Sequence, residues 1–418
     1  MTNSYSRLSL AAILVSCLVL VCTVNLGALY ASTDVTGIIS SDTTWTKANS
    51  PYSLTGPILV KNGVTLIVEP GVTVCLNDHY ILVNGTLTAR GTNADKIYFE
   101  ISDTQVNYLG KEIEFTSFSS NWDEQTGSGC VIENAVVNTK LSISNSPKIS
   151  NNIINERIQV IGEPPVVISN NTITDRILVS SQSTVEISKN NVIAQKDYST
   201  TIDVTMGSVV IANNNITGHG DVGSIAISIQ GENHVYVYDN TISGFRSSGI
   251  LAAGKSTIER NSIFGNTYGI LIGKGISLTD MVIGEYSEIV IRNNTIKDNS
   301  KGIYGPTTAT TIVYNNIQNN TEYNIGLRRA SNVTAAYNWW GTTDTQAINQ
   351  TMFDFKNDFN LGTVNFTPFL TEPNPETDPR PTQVIPEFPV WAILPTVLCI
   401  SLVTLLCKRK LSKQQSCL

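Results

Sequence analysis

The chain is poor in the residues that build metal and redox centres. Its 418 residues include three histidines and four methionines, and His79, His219 and His234 are widely spaced. Copper and similar metals are held where imidazole, thiolate or thioether groups converge, so this supply argues against a metal role, and no cofactor is expected. Cysteine is scarce where it would matter. Of the seven, Cys17 and Cys22 lie in an apolar run near the start, Cys399 and Cys407 in another near the end, and Cys417 in the tail. Cys75 and Cys130 remain, enough for one disulfide or for two buried packing thiols, and a disulfide scaffold is excluded. Also missing is any long apolar pattern of period 3.6. With β-branched residues and Asn so frequent, helical architectures drop out as well.

Charge is low, at 15%, and one-sided. Between residues 32 and 389, where neither Arg7 nor the four C-terminal bases are counted, 22 bases face 34 acids, a net charge of −12. Nucleic acid and other polyanions are therefore excluded as default partners.

Both ends are apolar. Arg7 precedes an uncharged run from Leu8 to Val24 and the small residues around Ala28 and Ala31, the composition of a secretory signal, with an uncleaved N-terminal anchor as the alternative. Val390 to Cys407 carries no charge and is followed by Lys408-Arg409-Lys410. That length just reaches a bilayer span, with the basic cluster on the cytoplasmic side. The expected localisation is export to the extracellular face of the cell membrane, with anchorage at the C-terminus. Eight Asn-x-Ser/Thr sequons (Asn84, Asn170, Asn215, Asn293, Asn319, Asn332, Asn349 and Asn365) agree with an exported glycoprotein.

What fills the middle is a repeat: an aliphatic residue, two variable positions, Asn, one variable position, then another aliphatic. Its Asn residues are Asn134, Asn152, Asn171, Asn190, Asn214, Asn240, Asn261, Asn294, Asn315 and, in a degenerate last copy, Asn338. The steps between them are 18, 19, 19, 24, 26, 21, 33, 21 and 23 residues. A coil of roughly 22 residues holds about three short strands and three turns. Aliphatics two apart, such as Val209 and Ile211, point inward along one strand. Stacked coils then place like on like, and Asn at the bend both donates to and accepts from its stack neighbours, forming an amide ladder. Glycines in Gly249-Ile250-Leu251, Gly269-Ile270-Leu271 and Gly302-Ile303 are expected to relax a second corner.

The stretch Val64-Thr65-Leu66-Ile67-Val68-Glu69-Pro70-Gly71-Val72-Thr73-Val74, followed by Leu82-Val83-Asn84-Gly85-Thr86, resembles the opening of many exported parallel β-helix proteins. The Asn-x-Ile copies are similar to the pectate-lyase-type repeats shared by carbohydrate-binding and sugar-hydrolase proteins and by NosD-type periplasmic proteins. Asn338-Trp339-Trp340-Gly341 resembles their closing signature. The resemblance implies an all-β chain, a single-stranded right-handed parallel β-helix; by length, Gly56 to Gly341 has room for about thirteen coils, a rod on the order of 60 Å long at ~4.8 Å per rung. Pro386-Glu387-Phe388, ahead of the apolar run, resembles an archaeal PEF-type sorting signal. That implies a sortase-like processing enzyme as a partner, with a permanent membrane anchor as the alternative.

The organisation expected is a signal peptide at 1–31, an N-terminal cap at 32–55, the β-helix at 56–345, a C-terminal cap at 346–370, a Pro-rich stalk at 371–389, the transmembrane or sorting segment at 390–407 and a basic tail at 408–418. Seven prolines between Pro368 and Pro389 make the stalk stiff and extended.

Chemistry has few places to sit. Gly218-His219-Gly220-Asp221 resembles the Gly-His-Gly segment of polygalacturonases, yet no Asp-Asp pair or Arg-x-Lys partner accompanies it, and glycoside hydrolysis needs two carboxylates. It reads as a Gly-rich turn that lengthens one coil. The repeat register stacks Ser188, Ala212, Tyr238, Glu259 and Arg292 outward, with Tyr236, Asp239 and Arg260 beside them. Tyr236, Tyr238, Asp239, Glu259, Arg260 and Arg292 thus form a candidate glycan-binding face: rings stack on sugars, and charged groups bind hydroxyls. The plainer reading is a solvated face with a Glu259–Arg292 ion pair between coils. The 33-residue step from Asn261 to Asn294 inserts a loop near Gly273 to Glu285 beside this face. The expectation is a surface-anchored extracellular protein with a structural, adhesive or glycan-binding role, partnered by the membrane and by glycans or envelope proteins. The alternative is a polysaccharide lyase or glycoside hydrolase working on the outer strand face; a lyase alone would need Ca²⁺ held by outward carboxylates and a basic residue to take a proton.

Overall fold

A computed structural model describes residues 32–101, 110–163, 165–195, 199–219, 225–230, 234–273 and 288–380. The expected signal at 1–31, Gly220-Asp221, residues 274–285 of the insertion, Pro386-Glu387-Phe388, the 390–407 segment and the basic tail lie outside the described residues. Among the described residues no helix is long and apolar enough to cross a membrane.

The strands follow from the β-branched pairs, and they stack as expected. Successive coils stack into three parallel sheets, and in two coils one long strand, Ile177–Ser188 or Thr200–Ala212, runs through two of them. The first sheet holds, among others, Thr65–Val68, Thr86–Arg90, Val235–Tyr238, Ser256–Glu259, Ile289–Arg292 and Thr310–Val313. The second holds Thr241–Ser243, Ser262–Phe264, Thr295–Lys297 and Asn316–Gln318, and the third Ser248–Ala252, Tyr268–Ile272, Lys301–Tyr304 and Tyr323–Gly326. The result is a right-handed all-β parallel solenoid of about 12 turns with almost no helix. Thirteen coils is an overcount. Dividing length by a fixed period ignores insertions: one turn runs from Ala89 to its rung partner Ile132 and swallows two turns' worth of chain.

The core is a set of like-on-like columns. Ile211, Val237, Ile258, Ile291 and Ile312 are register partners, and none is exposed to solvent. Burying each such side chain contributes roughly 1.5–3 kcal/mol. The glycines of the third sheet act differently from expectation. A Cβ on Gly249 would stand 2.9 Å from the Gly269 carbonyl oxygen, and one on Gly269 2.7 Å from that of Gly302. Close rung-to-rung approach requires glycine there, and these residues do not adopt a left-handed φ.

Residues 32–55 add rungs of their own. Thr33–Ile39 pairs in parallel with Tyr52–Val60, and Thr43–Trp45 with Thr65–Val68. At the far end, Asp344 caps the short helix Thr345–Gln350, its Oδ1 accepting from the Gln346 amide at 2.8 Å. Ile348 of that helix is fully buried.

Residues 371–380 do not project as a stalk. They turn back along the corner between the first and second sheets and dock there. The Asn374 amide donates to Asn316 Oδ1 at 2.8 Å, and its Nδ2 to Asn293 Oδ1 at 3.1 Å. Thr377 is 2% exposed and receives Asn316 Nδ2 at 2.8 Å. Arg380 reaches an earlier coil, its main-chain N–H donating to Asp239 Oδ1 at 3.1 Å. Proline stiffens this strap, but Asn374 and Thr377 find partners that a free stalk would lack.

Cys75 and Cys130 are both thiols. Burial pushes the Cys130 thiol pKa up, as expected of a packing residue.

Candidate functional site

The corner between the first and second sheets organises everything that follows. In most coils the residue before the ladder Asn adopts a left-handed φ: 60° at Asn151, 58° at Asn170, 56° at Asp239, 52° at Arg260 and 53° at Asn293. That bend turns the next residue inward, where it is sealed: Asn240, Asn261, Asn294, Asn315 and Asn338 are all 0% exposed. Each ladder amide donates Nδ2 to the Oδ1 of the next, at 2.9–3.1 Å from Asn152 to Asn338. The same Oδ1 also accepts the preceding ladder residue's main-chain N–H, as Asn261 Oδ1 does from Asn240 at 3.0 Å.

Asn134 is not part of this ladder. It has φ 52° and occupies the corner place of Asn151, while Ala135 sits where the ladder Asn would be and gives its N–H to Asn152 Oδ1 at 2.9 Å. The repeat aligned on Val131 is one residue out of register, because Ile132 is the rung partner of Ile149.

A second ladder escaped the sequence reading. Asn266, Asn299 and Asn320 line another bend, with Nδ2 to Oδ1 distances of 3.1 Å between successive members. Its signal was present: each lies five residues after a ladder Asn (261, 294 and 315).

The predicted outward row is brought together, since Ser188, Ala212, Tyr238, Glu259 and Arg292 are successive register partners. Ser188 and Ala212 are nonetheless buried. The charged members form one chain. Arg260 grips Asp239 with Nε on Oδ1 at 2.9 Å and Nη2 on Oδ2 at 3.2 Å, and it also bonds Glu259 Oε1 through Nη1. Arg292 takes Glu259 Oε2 through Nε at 3.0 Å and Nη2 at 2.8 Å. The hydrogen bonds that Arg260 donates to Asp239 raise the Arg260 pKa. Two acids and two bases thus cancel, and the Arg380 amide closes over Asp239.

Tyr238 lies under Arg260, 5.8 Å from guanidinium carbon to ring centre. Tyr236 stands apart, 42% exposed and stacked on His234 with centroids 4.3 Å apart. His234 Nε2 shares a hydrogen bond of 2.9 Å with Thr257 Oγ1, and burial chiefly, with Lys255 nearby, lowers its pKa.

Residues 225–349 match the family model described as right handed beta helix region. No curated protein and no solved structure gives a significant match to the chain. The matched region holds the whole charged face and both ladders' C-terminal members, so what is shared with that family is architecture.

That architecture limits the chemistry. A general acid or base needs a carboxyl free to exchange a proton with substrate, and both carboxylates here are held in arginine forks. Gly218 is fixed by packing, since a Cβ there would stand 2.5 Å from the Gly244 carbonyl oxygen. Among the described residues no three His, Cys, Asp or Glu side chains form a group that could hold a metal ion.

Two further features had not been foreseen. Tyr268, Tyr304, Tyr323 and Phe353 form an aromatic column, with centroid spacings of 5.5, 6.0 and 5.5 Å, and burial raises the Tyr323 pKa. An open polar cleft of about 520 Å³ lies along the corner of earlier coils, lined by Lys96, Asn134, Asn151, Ile153, Asn170 and Thr172 among others.

Proposed function

We propose that this chain is a non-catalytic β-helix protein of the outer cell surface, with a structural, adhesive or glycan-binding role. One observation carries the non-catalytic part: Asp239 and Glu259, the carboxylates of the candidate face, are both ion-paired to arginine. Breaking such a pair to free a carboxylate costs more than an exposed ion pair would suggest, because Asp239 is 8% exposed. Surface placement is supported by the apolar runs at Leu8 to Val24 and Val390 to Cys407 and by the basic cluster behind the second. Pro386-Glu387-Phe388 supports processing by a sortase-like enzyme of the PEF type. The exposed Tyr236 ring, presented flat by its stack on His234, supports sugar contact.

The test is to incubate the full chain with a polysaccharide panel and follow new reducing ends and unsaturated products. No turnover is expected, with retention on at least one polysaccharide that Tyr236→Ala weakens. Turnover abolished by Glu259→Gln or Asp239→Asn would establish the lyase or hydrolase reading instead. Protease accessibility on intact cells, with C-terminal size analysis, tests export and separates a cleaved signal from a permanent anchor.

A further inference from the structure

The strap and the open cleft share one groove. Both lie along the corner between the first and second sheets, on the left-handed residue of each coil and the residue two places after it. The strap uses Asn293 and Thr295, then Tyr314 and Asn316, and finally Asp239. The cleft is lined by the same two positions of earlier coils, Asn151 with Ile153 and Asn170 with Thr172, together with Asn134. The backbone is alike along the whole row: φ lies between 52° and 60° at Asn134, Asn151, Asn170, Asp239, Asn293 and Tyr314. One part of the corner is therefore filled by a segment of the chain that makes a 3-10 turn at Pro375–Thr377, and an equivalent part is open.

The filled part shows how the row binds. At its far end a side-chain oxygen of the left-handed residue, Asp239 Oδ1, accepts a main-chain N–H of the strap. Nearer the start, Asn316 binds the strap main chain both ways: Oδ1 accepts the Asn374 amide at 2.8 Å and Nδ2 donates to the Asn374 carbonyl at 3.0 Å. Carboxamides suit this task because each both donates and accepts, so main chain lying across successive rungs can be held from either its N–H or its C=O side. In the open part Asn170 is exposed and makes no side-chain hydrogen bond among the described residues. Asn151 uses only Nδ2, on Glu133 at 3.2 Å, which leaves its Oδ1 open. Lys96 is the one charged side chain among the lining residues.

We infer that the open corner groove over Asn134, Asn151 and Asn170 binds an acidic polypeptide segment from a partner, held through its main chain. Acidic character follows from Lys96 and from the strap, which carries Glu372, Glu376 and Asp378 against Arg380. This goes beyond the proposed function, since the groove is distinct from the tyrosine face and its occupancy does not depend on catalysis or on sugar.

The experiment uses the full chain in detergent, made in a host that adds no N-linked glycans, because Asn170 begins a sequon. The probe is a fluorescent peptide with the sequence of residues 371–380, followed by anisotropy. Saturable binding is expected, about tenfold or more weaker in the Asn151→Gly/Asn170→Gly double variant, which loses two side-chain hydrogen bonds. Glycine keeps the left-handed backbone, so the fold is preserved. Lys96→Glu, which leaves the backbone untouched, is expected to weaken binding further, and added salt to weaken it in the parent chain. Binding that ignores both variants overturns the inference. So does loss in Asn293→Gly with none in the double variant, since the peptide would then be exchanging with the strap. Absence of peptide binding, with cellohexaose binding lost in the double variant, would make the groove a glycan site and equally overturn it.

Discussion

Replacing Asn261 by alanine removes one amide from the middle of the buried ladder. Its Nδ2 donates to the Val237 carbonyl at 2.9 Å, the Glu259 carbonyl at 3.1 Å and Asn294 Oδ1 at 3.0 Å, while its Oδ1 accepts from the Asn240 main chain and side chain. After truncation Asn240 Nδ2 keeps the Ile211 and Tyr238 carbonyls. The Asn240 main-chain N–H and the Val237 carbonyl lose a partner in a place water does not reach. An orphaned buried group costs roughly 1–3 kcal/mol, so the expected loss is about 2–6 kcal/mol. Because stability in a solenoid sums over neighbouring coils, a global unfolding midpoint dilutes the effect. Native-state hydrogen exchange read at the Asn240 amide does not, since that proton sits on Asn261 Oδ1. Asn215→Ala serves as the control: its Nδ2 bonds Asn191 Oδ1 at an exposed site, and a change within about 0.5 kcal/mol is expected. If Asn261→Ala leaves Asn240 as protected as in the parent, or costs no more than the control, the ladder is not a source of stability.

Asn374→Ala removes the strap's contacts to Asn293 and the Tyr314 carbonyl. It should raise proteolytic cutting between residues 371 and 380 while leaving the solenoid's midpoint nearly unchanged; an unchanged cutting rate would count against docking in solution. His234 has its pKa lowered, first by burial and then by Lys255, so the folded state holds its proton less tightly than the unfolded one. Its contribution is present above the unfolded pKa of about 6.5 and is lost as pH falls through the lower folded value. The thermal midpoint should therefore fall between about pH 7 and pH 5, and less so in His234→Gln. Equal falls in the two proteins would sink that assignment.

Architecture was legible because it is repeated. Ile211, Ile258 and Ile291 announce the inward column, and the Asn that follows each by three residues announces the bend. The outward register from Ser188 to Arg292 could be read for the same reason. Where one coil lacks a residue of the pattern, spacing alone misplaces its neighbour: Ala135 holds the ladder position, and Asn134 only precedes it. The second ladder was present in the sequence as Asn at a fixed five-residue offset but was masked by the abundance of Asn elsewhere. The strap was beyond reach. Nothing local in Asn374 or Thr377 points to partners 58 and 82 residues earlier, and proline suggested projection into solvent. The charge cancellation across Asp239, Arg260, Glu259 and Arg292 needed side-chain geometry, which register alone does not supply.

The strap also has a mechanical meaning. It runs from the coil of Tyr314 toward that of Asp239, so Arg380 lies beside the flank of the rod and not at its tip. A force on Arg380 directed along the rod loads the bonds at Asn374, Thr377 and Arg380 together, in shear. A force directed away from the rod peels them one at a time, beginning with the single bond to Asp239. The same few hydrogen bonds thus form a strong joint in one direction and a release in the other.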